Sequence, residues 1–369
     1  MYLAFFVVPV IAMIPILIYL YIWFNRFLTL IPKIGNKLRH GLAVVLALAA
    51  AYLCWPIYRI GGVVIAHFLV ASLLLEIVHF IIKKKKKDEI PKVWSILYRS
   101  GILSVLVVLG VFTYGYVNMH MIQEKDYEIV SEKVQQDMRF AAISDLHLGT
   151  NMNADKLSGY LDEISAKDID ALFLVGDIFD ENTVEDEMRK AAELFAHVKS
   201  IYGTYYVLGN HDPNNYVTDK QYTMEEMCQV LSDAEVHVLR DDAVVLDGLN
   251  IIGRKDASLA SRQEIKDLTA QVDLSQFTVL MDHQPLGLQD NADAGIDLQI
   301  SGHTHAGQIW PLGLFAKLFH LDEMSYGYET DDGLQMFVTS GMAGWGVCFR
   351  TQKHSEYMVI SLLPASHSS

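Results

Sequence analysis

Seven polar residues each fall just after a short apolar run. Asp145 follows Phe140–Ser144, and His147 is two residues further on. Asp177 follows Ala171–Val175 and Gly176. Asn210 follows Tyr205–Leu208 and Gly209, and leads into His211 and Asp212. His283 follows Phe277–Met281 and Asp282, while His303 and His305 follow Ile296–Ile300. Short continuous apolar runs suit strands buried on both faces. In α/β sheets the carboxyl ends of such strands converge on one crevice. Carboxylate, amide and imidazole groups gathered there are a metal-ligand set, suited to Mn, Fe or Zn, and no thiolate is among them. Seven ligands exceed the needs of one tetrahedral ion. Two divalent ions sharing a bridging carboxylate is the economical arrangement.

The elements that must position these residues alternate along the chain. Lys156–Ile164 carries Leu157, Leu161 and Ile164 on one helical stripe, and Glu185–Val198 carries Met188, Ala191, Ala192, Phe195 and Val198. Thr223-x-x-Glu226 is a capping box opening a further helix, with Met227, Val230 and Leu231 on its inner side. The second half is richer in strands, at Ala243–Leu246, Leu249–Ile252, Gln335–Thr339 and Glu356–Leu362. The fold class expected for residues 138–369 is α/β, a two-sheet β-sandwich flanked by helices. Residues 123–137 are polar and read as a linker.

The first 122 residues are different. The whole chain is 51% hydrophobic with net charge −15, a combination that one uniform domain does not explain. Residues 1–122 carry 12 Lys/Arg against 3 Asp/Glu, a net of +9, and the remainder carries 17 against 41, a net of −24. Spans of roughly the 20 apolar residues that a membrane crossing needs are expected at about 2–24, 42–58, 61–82 and 100–121, an all-α four-helix transmembrane module. The loop with Arg26, Lys33, Lys37 and Arg39 and the loop with Lys83–Lys87, Lys92 and Arg99 then share one face of the membrane. The positive-inside rule puts both in the cytoplasm and the domain after residue 122 on the extracytoplasmic side, in a multi-pass protein of the cell membrane. Within the third span, Glu76 and His79 are one helical turn apart and are expected to pair or to snorkel rather than relay protons.

Composition excludes several classes. The apolar content rules out disorder, and three Cys in 369 residues rule out a disulfide scaffold. A −24 domain repels phosphate backbones, so no nucleic-acid partner is expected. The expected partners are the lipid bilayer and a phosphorylated small-molecule or lipid substrate.

The ordered blocks Asp145-Leu-His147, Gly176-Asp177, Gly209-Asn210-His211-Asp212, His283 and Gly302-His303-Thr304-His305 resemble the calcineurin-like metallophosphoesterases, over about residues 138–363. The stretch Ser301-Gly-His-Thr-His-Ala-Gly-Gln-Ile309 resembles the branch with membrane spans ahead of the domain; Gly or Asn is more usual at position 306 than Ala306. The resemblance implies one metal held by Asp145, His147, Asp177 and His305, and a second held by Asp177, Asn210, His283 and His303, with Asp177 bridging. It implies in-line attack on phosphorus by a hydroxide between the ions, about 3.5–4 Å apart in such sites. It further implies that His211 donates a proton to the leaving group or stabilises the transition state, oriented by Asp212. Arg350 is a candidate for binding a substrate phosphate, and equally for a salt bridge. Asp180 reads as a loop anchor, and Asp256 as a support behind the ligands. The remaining histidines and Cys54, Cys228 and Cys348 read as structural or unassigned.

The leading expectation is a membrane-anchored, dinuclear-metal hydrolase of phosphomonoester, phosphodiester or pyrophosphate bonds in lipid-linked or envelope substrates. The membrane-anchored branch is also associated with diacylglucosamine nucleotide pyrophosphates of the UDP-2,3-diacylglucosamine type, but that substrate is cytoplasmic and conflicts with the topology above. A catalytically silent metal-binding sensor would lack a ligand or His211, and neither is missing. A translocation path needs intramembrane polar residues, which are few here.

Overall fold

The computed structural model describes residues 2–55, 60–86, 89–259, 261–320 and 322–365. The chain forms two compact units, Met1–Tyr114 and Gly115–Ser369.

The first unit is helical. Its elements are α1 (Tyr2–Leu28), α2 (Asn36–Leu53), α3 (Ile60–Lys86), α4 (Lys92–Ser100) and α5 (Ile102–His120), the last running on into the second unit from Gly115. Among the described residues three stretches are long and apolar enough to cross a membrane: Val10–Leu28, Ile60–Lys86 and Ile102–His120. They overlap the first, third and fourth expected spans. The second expected span falls on the apolar part of α2, whose first turns are diluted by Lys37, Arg39 and His40; positions 56–58 lie outside the described residues, as does Lys87. Ala43, Ala47 and Ala51 form a buried stripe at i, i+4 spacing on α2. Ala47 and Ala51 pack with Met13 and Leu20 of α1 and Ile65 of α3, because small residues let helices approach closely. Leu73, Leu74 and Phe80 of α3 and Leu106, Val107 and Leu109 of α5 are exposed.

Glu76 does not pair with His79. It accepts hydrogen bonds from Arg26 (2.5 Å), Tyr19 (3.3 Å) and Tyr98 (2.5 Å), while His79 stacks on Tyr98 and accepts from Trp94 (3.2 Å). An intramembrane carboxylate is tolerable when charge and hydroxyl partners surround it. The fourth expected span starts later than the sequence suggests, because Gly101 ends α4 in the left-handed region (φ +65°). A Cβ there would lie 2.1 Å from the Trp23 indole nitrogen, so only glycine fits.

The second unit holds two six-stranded sheets. The strands are β1 (Gln123–Ser131), β2 (Met138–Ile143), β3 (Ala171–Val175), β4 (Thr204–Val207), β5 (His237–Leu239), β6 (Asp242–Leu246), β7 (Leu249–Gly253), β8 (Phe277–Met281), β9 (Leu298–Ser301), β10 (Gly327–Asp331), β11 (Leu334–Val338) and β12 (Glu356–Pro364). One sheet has the order β1-β12-β2-β3-β4-β5 and the other β10-β11-β9-β8-β7-β6. The helices are α6 (Ala154–Ser165), α7 (Glu185–Ala196), α8 (Met224–Asp233), α9 (Ile265–Thr269), α10 (Leu288–Asp293) and α11 (Leu312–Phe319). The segment read as a linker therefore contains an edge strand. β1 pairs in parallel with β12, and its burial is too one-sided to leave an apolar signature.

Strand alternation builds the layers. Phe140 and Ala142 of β2, Phe173 of β3, Val279 of β8 and Ile300 of β9 meet between the sheets. Ala141, Ile143, Leu172 and Leu174 face the other way, onto Leu157, Leu161 and Ile164 of α6 and Met188 and Phe195 of α7. Helix α8 opens with the capping box expected at Thr223 and Glu226. Strands β2, β3 and β4 are mutually parallel, as are β7, β8 and β9, so their carboxyl ends deliver their following loops to one edge of each sheet.

Candidate metal centre

The loops after β2, β3, β4, β8 and β9 hold the seven expected ligands. Asp145, His147 and His305 offer ligand atoms within 4.8 Å of one another, and Asp177, His283 and His303 form a second such group. One carboxylate oxygen of Asp177 faces both: Oδ2 is 3.9 Å from His147 Nε2 and 3.1 Å from His283 Nε2. Asp145, His147, Asp177 and His283 are fully or almost fully buried. Three of the ligand-bearing turns need unusual backbone. Asp145, His147, Asp177, His303 and His305 all have positive φ between 42° and 71°, a conformation that non-glycine residues adopt at a cost and that clusters at functional sites. Ala306 shares it at φ 51°, which explains why Gly or Asn suits that position better.

Close approach also fixes residue choice. A Cβ on Gly209 would lie 2.2 Å from Asp177 Oδ1, so a side chain there would displace the shared carboxylate. The same Oδ1 accepts the backbone N–H of His211 at 2.8 Å.

The polar inventory calls for a cation. His283 Nδ1 donates to the Val175 carbonyl at 2.8 Å, which turns Nε2 onto the Asp177 carboxylate. Only a proton or a metal can sit between those two atoms. His147 Nε2 and His305 Nε2 face each other at 3.2 Å with Asp145 Oδ1 3.5 Å from the latter. Asn210 Oδ1 is buried with no hydrogen-bond partner. Burial raises the Asp177 carboxyl pKa, but the neighbouring His283 imidazole outweighs it and holds the carboxyl well below the usual range. Burial drives His305 the other way, down to about 3, so its ring is neutral and has lone pairs to give. These residues fit two divalent cations.

Behind the ligands, Asp180 lies 3.4 Å from His147 Nδ1 and accepts from Thr150 Oγ1 and the Asn182 backbone. It both anchors its loop and backs a candidate ligand. Asp256 is fully buried and accepts from Ser258 and from Gln284, the residue after His283, so it stands behind that candidate ligand.

Two role assignments change. Asp212 does not orient His211. Its carboxylate accepts the backbone N–H groups of Asp177 (2.8 Å), Phe179 (2.9 Å) and Gly209 (2.6 Å), tying two ligand loops together. Burial and the Asp177 charge push its pKa up to about 6. The partner of His211 Nδ1 is Glu181, at 2.8 Å, which the sequence reading missed. The His211 ring lies 5.3 Å from that of His147 and is flanked by Tyr216 and Trp345.

Arg350 is fully buried and donates to the carbonyls of His305 (3.2 Å), Ser340 (2.7 Å) and Ala343 (2.6 Å). A substrate phosphate has no exposed guanidinium to reach. The side chain instead fastens the His305 turn to the loop after β11.

Residues 138–307 match the family model described as calcineurin-like phosphoesterase. A protein from Helicobacter pylori (strain J99) named an uncharacterized metallophosphoesterase is 29% identical over 71% of this chain and 70% of its own. One from Campylobacter jejuni of similar name is 26% identical over 73% and 72%. A zebrafish (Danio rerio) protein named transmembrane protein with metallophosphoesterase domain is 27% identical over 73% of this chain and 64% of its own. The ordered ligand loops and the two-sheet fold agree with these matches: residues 138–307 form a domain similar to the calcineurin-like phosphoesterases, and the likeness supports a metal-dependent phosphoester hydrolase.

Proposed function

We propose that this chain hydrolyses phosphoric esters or anhydrides of membrane-associated substrates, with two divalent cations held by Asp145, His147, Asp177 and His305 and by Asp177, Asn210, His283 and His303. The observation that carries the reading is the single Asp177 oxygen facing an imidazole from each ligand group. When bound, the cation pair supplies an activated water and neutralises charge developing on the phosphoryl oxygens.

The chain's own groups do the rest. Glu181 holds His211 Nδ1, so Nε2 is the atom that delivers a proton to the leaving oxygen. Asp212 keeps the Asp177 and Asn210 loops at fixed separation through three backbone N–H groups. Mn²⁺, Fe and Zn²⁺ all suit this donor set, and Mn²⁺ is the first to test.

The purified full chain, stripped with a chelator and reloaded with Mn²⁺, is expected to bind two equivalents and to hydrolyse p-nitrophenyl phosphate or its bis ester. Absence of turnover together with absence of bound metal would overturn the reading.

In the membrane, four spans leave both basic loops in the cytoplasm and the catalytic domain outside. The support is the charge of those loops and the packing of α2 against α1 through Ala47 and Ala51, which suits a second crossing. Protease added to intact cells is then expected to digest the Gly115–Ser369 unit. Protection of that unit until the cells are opened would reverse the orientation.

A further inference from the structure

Helix α11 is built from apolar residues and buries none of them. Leu312, Leu314, Phe315, Leu318 and Phe319 are 46–65% exposed, and Trp310 just before them is 52% exposed. A soluble domain rarely leaves so large a contiguous apolar patch without a partner. The patch adjoins the candidate metal centre: α11 packs on the His305–Gly307 turn, where a Cβ on Gly307 would lie 2.4 Å from the Gly313 Cα.

Hydrogen bonds within the second unit tie the patch to the end of α5. The Arg350 N–H donates to the Gly115 carbonyl (2.9 Å), and Asn118 donates to the carbonyls of Arg350 (3.0 Å) and Lys353 (2.6 Å). The same segment holds the start of α11: Trp310 N–H donates to Thr351 Oγ1 (2.8 Å) and Gly313 N–H to Gln352 Oε1 (3.1 Å). Gln308 donates to the Trp345 carbonyl (3.2 Å), and the half-exposed Trp345 ring lies 5.4 Å from His211. Residues Gly115–His120 are the last turns of a helix long enough to cross a membrane, and β1 begins three residues later, at Gln123. The patch is therefore fastened to the segment that leads out of that helix.

Amphipathic segments with Trp, Phe and Leu on one side and a lysine able to snorkel lie in the headgroup region of bilayers. Lys317 supplies that cation on α11. We propose that Trp310 and α11 insert into the bilayer interface and hold the mouth of the metal centre against it, so that the phosphate hydrolysed belongs to a lipid drawn from that layer. The substrate half of this inference rests on the phosphoesterase reading above; the insertion half does not.

The test uses the full chain in phosphatidylcholine vesicles containing phosphatidic acid. A nitroxide is placed at Leu318→Cys in a Cys348→Ser background, and its collisions with oxygen and with a water-soluble nickel chelate are measured. Insertion predicts a label reached by oxygen and shielded from nickel. A label reached by nickel overturns the proposal, and so does one shielded from both reagents, which would mark a protein partner on the patch. In parallel, the Leu314→Ser/Phe315→Ser/Leu318→Ser variant is expected to lose about tenfold or more on phosphatidic acid, while p-nitrophenyl phosphate turnover stays within about twofold. Equal loss on both substrates, or on neither, overturns the lipid-delivery role. Wild type that hydrolyses neither substrate with Mn²⁺ present, while the Leu318→Cys label is shielded from nickel, overturns the phosphoesterase reading alone.

Discussion

Asp177→Asn is expected to abolish two-metal binding and to lower turnover by more than about a thousandfold, since loss of a residue merely supporting a ligand already costs about 10–100-fold. Asparagine keeps Oδ1, so the hydrogen bond from His211 N–H survives and the loop is not torn open. What goes is the charge on Oδ2, the atom within 3.1 Å of His283 Nε2 and 3.9 Å of His147 Nε2. An amide nitrogen in that place presents hydrogens to a cation. Metal analysis should find one equivalent or none, and the thermal stabilisation that Mn²⁺ gives the wild type should shrink accordingly. A variant that still bound two equivalents and turned over normally would remove Asp177 from the bridging position.

His211→Ala is expected to keep both metals and lose about 10²–10⁴ in kcat, the usual contribution of a placed general acid. The loss should be greater for alkyl phosphates than for p-nitrophenyl phosphate, whose leaving group needs no proton. The pH dependence carries the role. Burial lowers the His211 pKa, but the hydrogen bond to Glu181 and the Asp177 charge outweigh it and leave the pKa above the ordinary histidine value. An acid whose pKa is raised stays protonated to higher pH, so wild-type activity should fall on its alkaline limb above the ordinary histidine range. Glu181→Gln removes the main raising partner and should move that limb to lower pH with metal content unchanged. If the limb does not move, the proton on His211 is not the one that limits the rate.

The candidate metal ligands were readable because each follows the apolar run of a parallel strand, whose carboxyl end lies at the ligand-bearing edge of one of the two sheets. Strand direction supplies the convergence, and residue type supplies the chemistry. The partner of His211 was not readable in that way. Asp212 is adjacent in sequence, but at that turn its carboxylate points to the backbone N–H groups of Asp177, Phe179 and Gly209, and Glu181 reaches the imidazole from the neighbouring loop. Adjacency along a chain says little about contact when the backbone reverses at every ligand. Arg350 failed for a related reason. Its charge suggested phosphate, yet three carbonyls left by the irregular loops around His305 and Ser340 need donors, and a buried guanidinium meets that need. β1 was hidden because an edge strand with a single buried residue, Ile129, has no apolar period to read. α11 was hidden for the opposite reason: its apolar residues have no protein surface to pack against, so no alternation betrays a facing element.

The pairing of β12 bears on how the chain is made. This strand lies between β1 and β2, parallel to one and antiparallel to the other, and fills both layers of the core with Tyr357 and Val359 on one face and Met358, Ile360 and Leu362 on the other. Its Tyr357 hydroxyl donates to Glu124, 233 positions earlier in the chain. Synthesis delivers β1 directly behind a helix long and apolar enough to cross a membrane, long before its partner exists. Until residues 356–364 emerge, β1 and β2 both present open hydrogen-bonding edges, the feature most prone to pairing with the wrong chain. The first sheet therefore closes only after translation has passed its last strand. The nascent domain waits behind its apolar helix, with its candidate metal ligands made but the strand between β1 and β2 not yet in place.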